Sequence, residues 1–265
     1  MPEIDGNGIR IHYEERGRGE PLLLIMGLGA DGSKWEDHVA CYERHFRCLL
    51  MDNRGVGLSD KPAGPYTTAM MADDAAALLR ALGIERARVA GVSMGGAIAQ
   101  CLALQHPALV ERLVIVSSWA RCDAYAKTVF EHFQRARAAM SRADFMQLLQ
   151  LWIFRPRHYD AHLPDMRQGQ ADAATDPNPQ PQHAFDAQCE ACIGHDTLDQ
   201  LPAITAPILI TIGDADIFTP LPFSLELHQR IRGSQLKVFP GLGHAHHWEA
   251  VAEFNEITTA FLREG

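Results

Sequence analysis

Short apolar runs recur along this chain, and several of the stretches between them have helical periodicity. Residues 9–15 alternate apolar and polar positions as a half-buried strand does, after the turn signal Asn7-Gly8. Apolar runs of the kind found in parallel strands buried on both faces cover residues 21–26, 46–51, 87–90, 112–117, 207–212 and 235–239. Helical periodicity covers residues 70–82, 96–104, 221–231 and 251–262. Repeated strand–helix units predict an α/β fold with a mainly parallel sheet and helices on both faces.

Residues 119–206 interrupt this alternation. They contain helical stretches rich in Ala, Arg, Gln and Met and a proline-rich break at 176–181, without a buried-strand signal. About ninety residues between two strands far exceed an ordinary connection. We therefore predict a helical cap of residues 119–206, inserted after the sixth strand into a core formed by residues 1–118 and 207–265. Its aromatic residues should mostly form a small core of the cap, with two or three facing a pocket.

Composition and charge exclude several classes of function. The chain has 265 residues, 47% of them hydrophobic, and its 24 basic and 33 acidic residues give a formal net charge of −9. This charge offers no basic surface for nucleic acid or an anionic membrane. No apolar run reaches the roughly 18–20 residues that cross a bilayer. The first residues lack the basic start and apolar segment of a signal peptide, which predicts a cytoplasmic location. Six scattered cysteines fit reduced thiols.

The segment Gly91-Val92-Ser93-Met94-Gly95 carries the most specific chemical signal. It follows an apolar run and precedes a helical one, which is the strand–turn–helix context of a nucleophile elbow. A serine on so sharp a turn is held in strained backbone geometry, and its neighbours must be small so that strand and helix can approach. Ser93 is therefore the candidate nucleophile.

A nucleophilic serine needs a base, and the base needs an orienting acid. Asp214 and Asp216 follow the predicted strand at 207–212, and His244, His246 and His247 follow the strand at 235–239. Serine, aspartate and histidine in this chain order, each beyond a strand, would lie on one edge of the sheet, where folds of this class bind ligands.

The chain resembles the α/β-hydrolase superfamily over nearly its whole length. The likeness is carried by residues 26–29 (MGLG), 52–59 (DNRGVGLS), the Ser93 segment and the aspartate and histidine loops. Within the superfamily it is most similar to the 3-oxoadipate enol-lactonase group and related small esterases, to which residues 28–35 and 197–204 contribute. The resemblance implies an α/β-hydrolase fold with an eight-stranded, mainly parallel sheet.

The resemblance also implies roles for single residues. The pattern G-x-x-D-x-x-x-P falls on Gly213, Asp216 and Pro220, and G-x-G-H falls on His244, so Asp216 and His244 would complete a triad with Ser93. Asp214 and, more remotely, Asp123 compete for the acid role. Asp52 and Arg54 are interpreted as loop anchors.

Backbone N–H groups of Leu28 and Met94 would form the oxyanion hole. This chain has Met26-Gly27 where relatives commonly carry His-Gly, which predicts altered loop packing with activity retained. Candidate pocket residues are Trp119, Trp152, Phe218 and Trp248. No metal or organic cofactor is required. The Cys189–Cys192 pair and the His244–His247 cluster are weak candidates for metal sites.

These features predict a serine hydrolase that cleaves a small-molecule ester or lactone through an acyl-enzyme. Hydrolysis of C–C bonds and cofactor-free perhydrolysis use the same triad, and a hydrolase-fold receptor of small molecules is a further alternative. The cap should decide the substrate, and a carboxylate-bearing lactone would need one of the cap arginines. No nucleic-acid or membrane partner is expected, and the chain could be a monomer or a homodimer.

Overall fold

An eight-stranded sheet forms the centre of the computed structural model, which describes residues 2–264. Its strands are β1 (Glu3–Gly6), β2 (Ile9–Gly17), β3 (Glu20–Ile25), β4 (Phe46–Met51), β5 (Ala87–Val92), β6 (Val110–Val116), β7 (Ile208–Gly213) and β8 (Gln235–Phe239). They lie in the order β1-β2-β4-β3-β5-β6-β7-β8, and pairing is parallel from β4 to β8. The predicted α/β fold with a mainly parallel sheet is confirmed.

Eleven helices surround the sheet within the described residues. They are α1 (Glu36–Tyr42), α2 (Thr68–Ala81), α3 (Met94–Gln105), α4 (Ala124–Ala139), α5 (Arg142–Ile153), α6 (Pro156–Ala161), α7 (Leu163–Thr175), α8 (Gln182–Ile193), α9 (Leu221–Arg230), α10 (His246–Glu249) and α11 (Val251–Arg263). Alternate strand residues enter two separate cores, so that Leu23 packs with α2 and α3 while Leu24 packs with α1 and α11. Burial on both faces explains why the central strands are apolar throughout.

The strand β1 was missed by the hydrophobic pattern. Its sequence Glu-Ile-Asp-Gly has no apolar run, because β1 is a short, half-exposed edge strand. It pairs antiparallel with β2 across Asn7 and Gly8, which both have positive φ (50° and 78°) as a tight hairpin turn requires. The turn itself was predicted correctly.

Five helices, α4 to α8, lie between β6 and β7, where the sequence predicts a cap. The two ends of this segment meet. Arg121 and Asp196 form an antiparallel bridge, and the Arg121 Nε donates to Asp196 Oδ2 at 2.8 Å. The segment therefore leaves and re-enters the core at one place.

Candidate active site

Ser93 lies on the turn between β5 and α3 in an unusual backbone conformation. Its φ of 54° and ψ of −116° are rare for a residue with a side chain and cost about 1–3 kcal/mol. The turn is held from β6, since the Ser93 N–H donates to the Val116 carbonyl at 2.7 Å. Met94 begins α3, so its N–H belongs to the helix end whose donors lack intrahelical partners.

The glycines on either side of Ser93 allow β5, α3 and β3 to approach closely. A Cβ on Gly91 would collide with the Gly95 carbonyl. A Cβ on Gly95 would lie 2.8 Å from the Met26 carbonyl oxygen and closer still to that of Ile25. The steric requirement inferred from the sequence is therefore present at both positions.

Asp216 and His244 form a buried hydrogen bond. The His244 Nδ1 lies 2.8 Å from Asp216 Oδ2, while Asp216 Oδ1 accepts the N–H groups of Phe218 and Thr219 at 2.8 and 2.9 Å. A carboxylate at Nδ1 favours the tautomer protonated there, which leaves Nε2 free to accept a proton. Ser93, Asp216 and His244 are each at most 5% exposed.

The end of β6 links all three predicted catalytic residues. Besides the Val116 contact, the Ser118 hydroxyl donates to the Ser93 carbonyl at 2.9 Å. The Ser117 hydroxyl donates to the His244 carbonyl at 2.9 Å, and the Ser117 carbonyl accepts from the Thr219 hydroxyl at 3.0 Å. Residues 116–118 thus bring the serine turn, the aspartate loop and the histidine loop together at one edge of the sheet.

Thr219 is a site residue that the sequence analysis missed. Its Oγ1 lies 2.8 Å from Asp216 Oδ2 and 3.0 Å from His244 Nδ1, in addition to its contact with Ser117. Its position directly before Pro220 in the aspartate motif was the available signal.

The competing acids and histidines have other contacts. The Asp214 carboxylate is exposed and accepts the Gly241 N–H, whereas Asp123 caps α4 through the Ala126 N–H at 2.8 Å. His246 is buried beneath the site, with Nδ1 3.2 Å from the Ser117 hydroxyl and Nε2 3.0 Å from that of Thr211. These contacts leave Asp216 and His244 as the pair at the sheet edge.

The loop after β3 adjoins the serine. A Cβ on Gly27 would lie 3.2 Å from the Ser93 Cβ and 3.9 Å from its Oγ, so Gly27 lies against the serine side chain. Of the two predicted oxyanion donors, Met94 directly follows Ser93 at the start of α3, and Leu28 directly follows Gly27 in this loop.

An aromatic cluster covers the histidine. The Phe218 ring centroid lies 4.8 Å from that of His244, and the rings of Phe130, Phe133 and Trp152 from α4 and α5 lie 5.3–6.4 Å from Phe218. The side of the site next to the base is therefore apolar.

The other two pocket candidates are placed differently. Trp119 is fully buried and contacts Phe130, with ring centroids 5.6 Å apart, so it belongs to the same cluster one layer further from His244. Trp248 instead packs against His247 at 4.5 Å and Phe154 at 6.2 Å.

Asp52 and Arg54 are structural, as expected. Asp52 accepts the N–H groups of Gly32 and Leu58 and lies 2.8 Å from His12 Nδ1, all buried or half-buried contacts. Arg54 binds the buried Asp74 carboxylate through Nε at 2.6 Å. Both anchor loops on the side of the sheet that carries β1 to β4.

The cap arginines with described contacts bind protein groups. The Arg155 Nε donates to the buried Glu249 carboxylate at 2.7 Å, and the adjacent Ile153 carbonyl accepts the Ala245 N–H at 2.9 Å. These contacts fix the end of α5 to the loop that carries His244. The guanidinium groups of Arg137 and Arg142 donate to backbone carbonyls of residues 174–180, within the same predicted segment.

Residues 2–264 contain neither a metal-binding cluster nor a helix that could span a membrane. No group of three or more His, Cys, Asp or Glu side chains there could hold a metal ion. Cys189 and Cys192 are buried in α8, and burial raises the pKa of both thiols well above the ordinary range. Among residues 2–264, no helix is long and apolar enough to span a bilayer.

Comparison with known proteins gives one family and several relatives. The family model of the alpha/beta hydrolase fold matches residues 20–251. RutD of Azorhizobium caulinodans, whose name describes a carbamate hydrolase, is 29% identical over 265 residues, covering 100% of this chain and 99% of that protein.

Solved structures agree with the family match. The enol-lactonase from Burkholderia xenovorans LB400 superposes with a TM-score of 0.91 at 26% identity, covering 99% of this chain and 100% of the other. Est816, described as an N-acyl homoserine lactone degrading enzyme, gives a TM-score of 0.85 at 29% identity, with 98% and 100% covered. The similarity to an enol-lactonase expected from the sequence is confirmed.

Gly95→Ala should lower the free energy of unfolding by about 2–3 kcal/mol, because the new methyl group would meet the backbone carbonyls of Ile25 and Met26 at the end of β3. Urea unfolding followed by circular dichroism measures this change. The control is Gly169→Ala in α7, where the Cβ would meet only the end of the Gln150 side chain at 3.2 Å and alanine favours the helix. Equal losses in both variants would contradict the steric interpretation.

Acid should destabilise the protein through its buried histidines. Burial lowers the pKa of His38 to about 4 and that of His246 to about 3, below the ordinary value of about 6.5. Between about pH 6.5 and 4 the unfolded chain binds protons that the folded chain does not. The free energy of unfolding should therefore fall by up to about 1.4 kcal/mol per pH unit for each histidine as the pH is lowered.

Urea unfolding at several pH values tests this dependence. His38→Gln removes one buried titrating group, so its slope between about pH 6.5 and 4.5 should be shallower than that of the wild type. The same substitution at exposed His45 is the control. Identical slopes for the wild type and His38→Gln would refute the role of burial at His38.

Proposed function

The chain belongs to the alpha/beta hydrolase fold family, and from this premise we propose that it is a serine hydrolase of small carboxylic esters or lactones. The observation that carries the proposal is the buried 2.8 Å hydrogen bond between Asp216 and His244, tied through residues 116–118 to the strained Ser93 turn. A base with its orienting acid beside an activated serine is the arrangement that acyl transfer requires.

In the proposed reaction, the His244 Nε2 takes the proton of the Ser93 hydroxyl as Oγ attacks the substrate carbonyl. Asp216 keeps Nδ1 protonated and stabilises the imidazolium that forms. His244 then gives its proton to the leaving alkoxide oxygen as the C–O bond breaks. The product of this half-reaction is an acyl group on Ser93.

Water completes the cycle. His244 removes a proton from a water molecule, whose oxygen attacks the acyl carbon, and the proton passes to Ser93 Oγ as the acyl bond breaks. The negative oxygen of both tetrahedral intermediates would lie at the N–H groups of Leu28 and Met94, each contributing on the order of 3–4 kcal/mol. No step requires a metal or an organic cofactor.

We assign substrate selection to the helices between β6 and β7, as a cap over the site. Support comes from the aromatic cluster, in which α4 and α5 contribute the rings packed against Phe218 beside His244. Such a wall favours an apolar acyl or alcohol group next to the base. The enol-lactonase and the lactone-degrading relative support a lactone among the substrates.

Carbamate hydrolysis is the second candidate. It is favoured by the similarity to RutD along the whole chain. Attack of Ser93 on a carbamate carbonyl would use the same base and the same oxyanion donors, with amine or ammonia as the leaving group. A substrate panel therefore needs esters, lactones and carbamates of matched size.

Ser93→Ala should abolish turnover. With p-nitrophenyl esters from acetate to octanoate, kcat/KM should fall at least about a thousandfold, because the attacking oxygen is absent. A fluorophosphonate probe should add one covalent group to the wild type at Ser93, detected by mass spectrometry, and none to Ser93→Ala.

The control is Ser141→Ala, which removes an exposed serine at the start of α5 and should retain activity. Equal rates in the wild type and Ser93→Ala would refute the proposed function. Activity on carbamates alone, lost in Ser93→Ala, would establish the second candidate.

Thr219→Val should lower kcat/KM about tenfold, which corresponds to about 1.4 kcal/mol of transition-state stabilisation. The substitution keeps the shape of the side chain but removes the hydroxyl next to Asp216, His244 and Ser117. Thr219→Ser restores that hydroxyl and should recover most of the rate. Wild-type kinetics in Thr219→Val would show that the threonine has no part in positioning the acid and base.

A further inference from the structure

The loop that carries the proposed oxyanion donor forms a tight four-residue turn. The Ala30 N–H donates to the Gly27 carbonyl at 3.3 Å, and Gly29, third in the turn, has a φ of 72°. Positive φ at that position is the requirement of a type II turn, in which the central peptide has one defined orientation. The central peptide here joins Leu28 to Gly29.

That central peptide is held from the cap. The Gly29 N–H donates to the Gln188 Oε1 at 3.0 Å, and Gln188 is a fully buried residue of α8. The same oxygen accepts from Gln180 Nε2 at 3.0 Å, while the Gln188 Nε2 donates to the Arg54 carbonyl at 2.8 Å. One cap side chain therefore joins the turn to a second core loop.

We propose that Gln188 is a positioning residue that fixes the turn of residues 27–30, so that the Leu28 N–H, in the peptide next to the one that Gln188 holds, faces the oxyanion. The inference rests on the proposed function and adds to it a dependence of the oxyanion hole on the cap. Without an acceptor at position 188, the Gly29 N–H loses its only described partner from the cap, and the turn loses its link to α8. The Leu28-Gly29 peptide can then rotate, because glycine tolerates both turn geometries, and the altered turn would displace the adjoining peptide that carries the Leu28 N–H.

The expected consequence is a loss of rate with little loss of substrate binding. An oxyanion donor acts in the transition state, so its displacement lowers kcat and kcat/KM together and leaves KM nearly unchanged. Displacements of about 1 Å can cost up to about a hundredfold in rate. Gln188→Met, which keeps the length and apolar volume of the side chain, should therefore lower kcat about 10- to 100-fold with p-nitrophenyl butyrate.

A matched control exists elsewhere in the cap. Gln150 is also buried, donates through Nε2 to the Met166 carbonyl at 2.9 Å and accepts from Gln170 Nε2 at 2.7 Å. These contacts lie within α5 and α7, apart from residues 27–30. Gln150→Met should therefore lower the melting temperature as Gln188→Met does but keep kcat within about twofold of the wild type.

Gln188→Glu separates positioning from stability. A glutamate oxygen can accept the Gly29 N–H in either protonation state, so activity should exceed that of Gln188→Met. An ionised carboxylate facing the Arg54 carbonyl is costly, so the melting temperature should be no higher than that of Gln188→Met. The order of activity should thus differ from the order of stability. Affinity for phenylboronic acid, whose adduct with Ser93 places an oxygen at the oxyanion donors, should follow kcat.

The outcomes distinguish this inference from the proposed function. If the wild type is active and Ser93→Ala is not, equal kcat in Gln188→Met and Gln150→Met overturns the role of Gln188 alone. If kcat follows the melting temperature across the wild type, Gln188→Met and Gln188→Glu, the proposed role of Gln188 is likewise overturned. A wild type no faster than Ser93→Ala overturns the proposed function and this inference with it.

Discussion

The hydrogen bonds at the end of β6 are the interactions on which the arrangement of the site depends. Ser93, the aspartate loop and the histidine loop come from three distant parts of the chain, yet each contacts residues 116–118. Ser117 itself has a φ of 48°, so this strand, like β5, is followed by a residue with a side chain and a positive φ. The cost of these backbone conformations is offset by the hydrogen bonds that Ser93 forms with Val116 and Ser118 and that Ser117 forms with the aspartate and histidine loops.

The features that the sequence predicts well are those with a local physical cause. Central strands must be apolar on both faces, so their runs are visible in the sequence, and the closeness of β5, α3 and β3 leaves glycine as the residue that fits at positions 91 and 95. The chain order of Ser93, Asp216 and His244 follows from the same topology, because each lies beyond a parallel strand. The fold class and the family could therefore be predicted from the sequence.

Features that depend on contacts between distant residues were not predictable. Nothing near Ser117 or Gln188 in the sequence indicates that one would meet the histidine loop and the other the turn after β3. The hydrophobic pattern did not predict the polar strand β1, because a strand at the edge of a sheet requires no apolar run. Trp119 and Trp248 illustrate the same limit, because the first contacts Phe130 and the second contacts His247, and residue type alone does not specify either contact.

The bridge between Arg121 and Asp196 has a consequence for divergence among related proteins. An inserted segment whose ends are adjacent can be replaced by another of different length without moving a strand of the host sheet. With substrate selection assigned to this segment as proposed, its exchange would change the substrate range and leave the sheet that carries Ser93, Asp216 and His244 in place. On the proposed role of Gln188, a foreign segment in a chimaera would also have to supply an acceptor for the Gly29 N–H, and without one we expect selectivity to be transferred without the full catalytic rate.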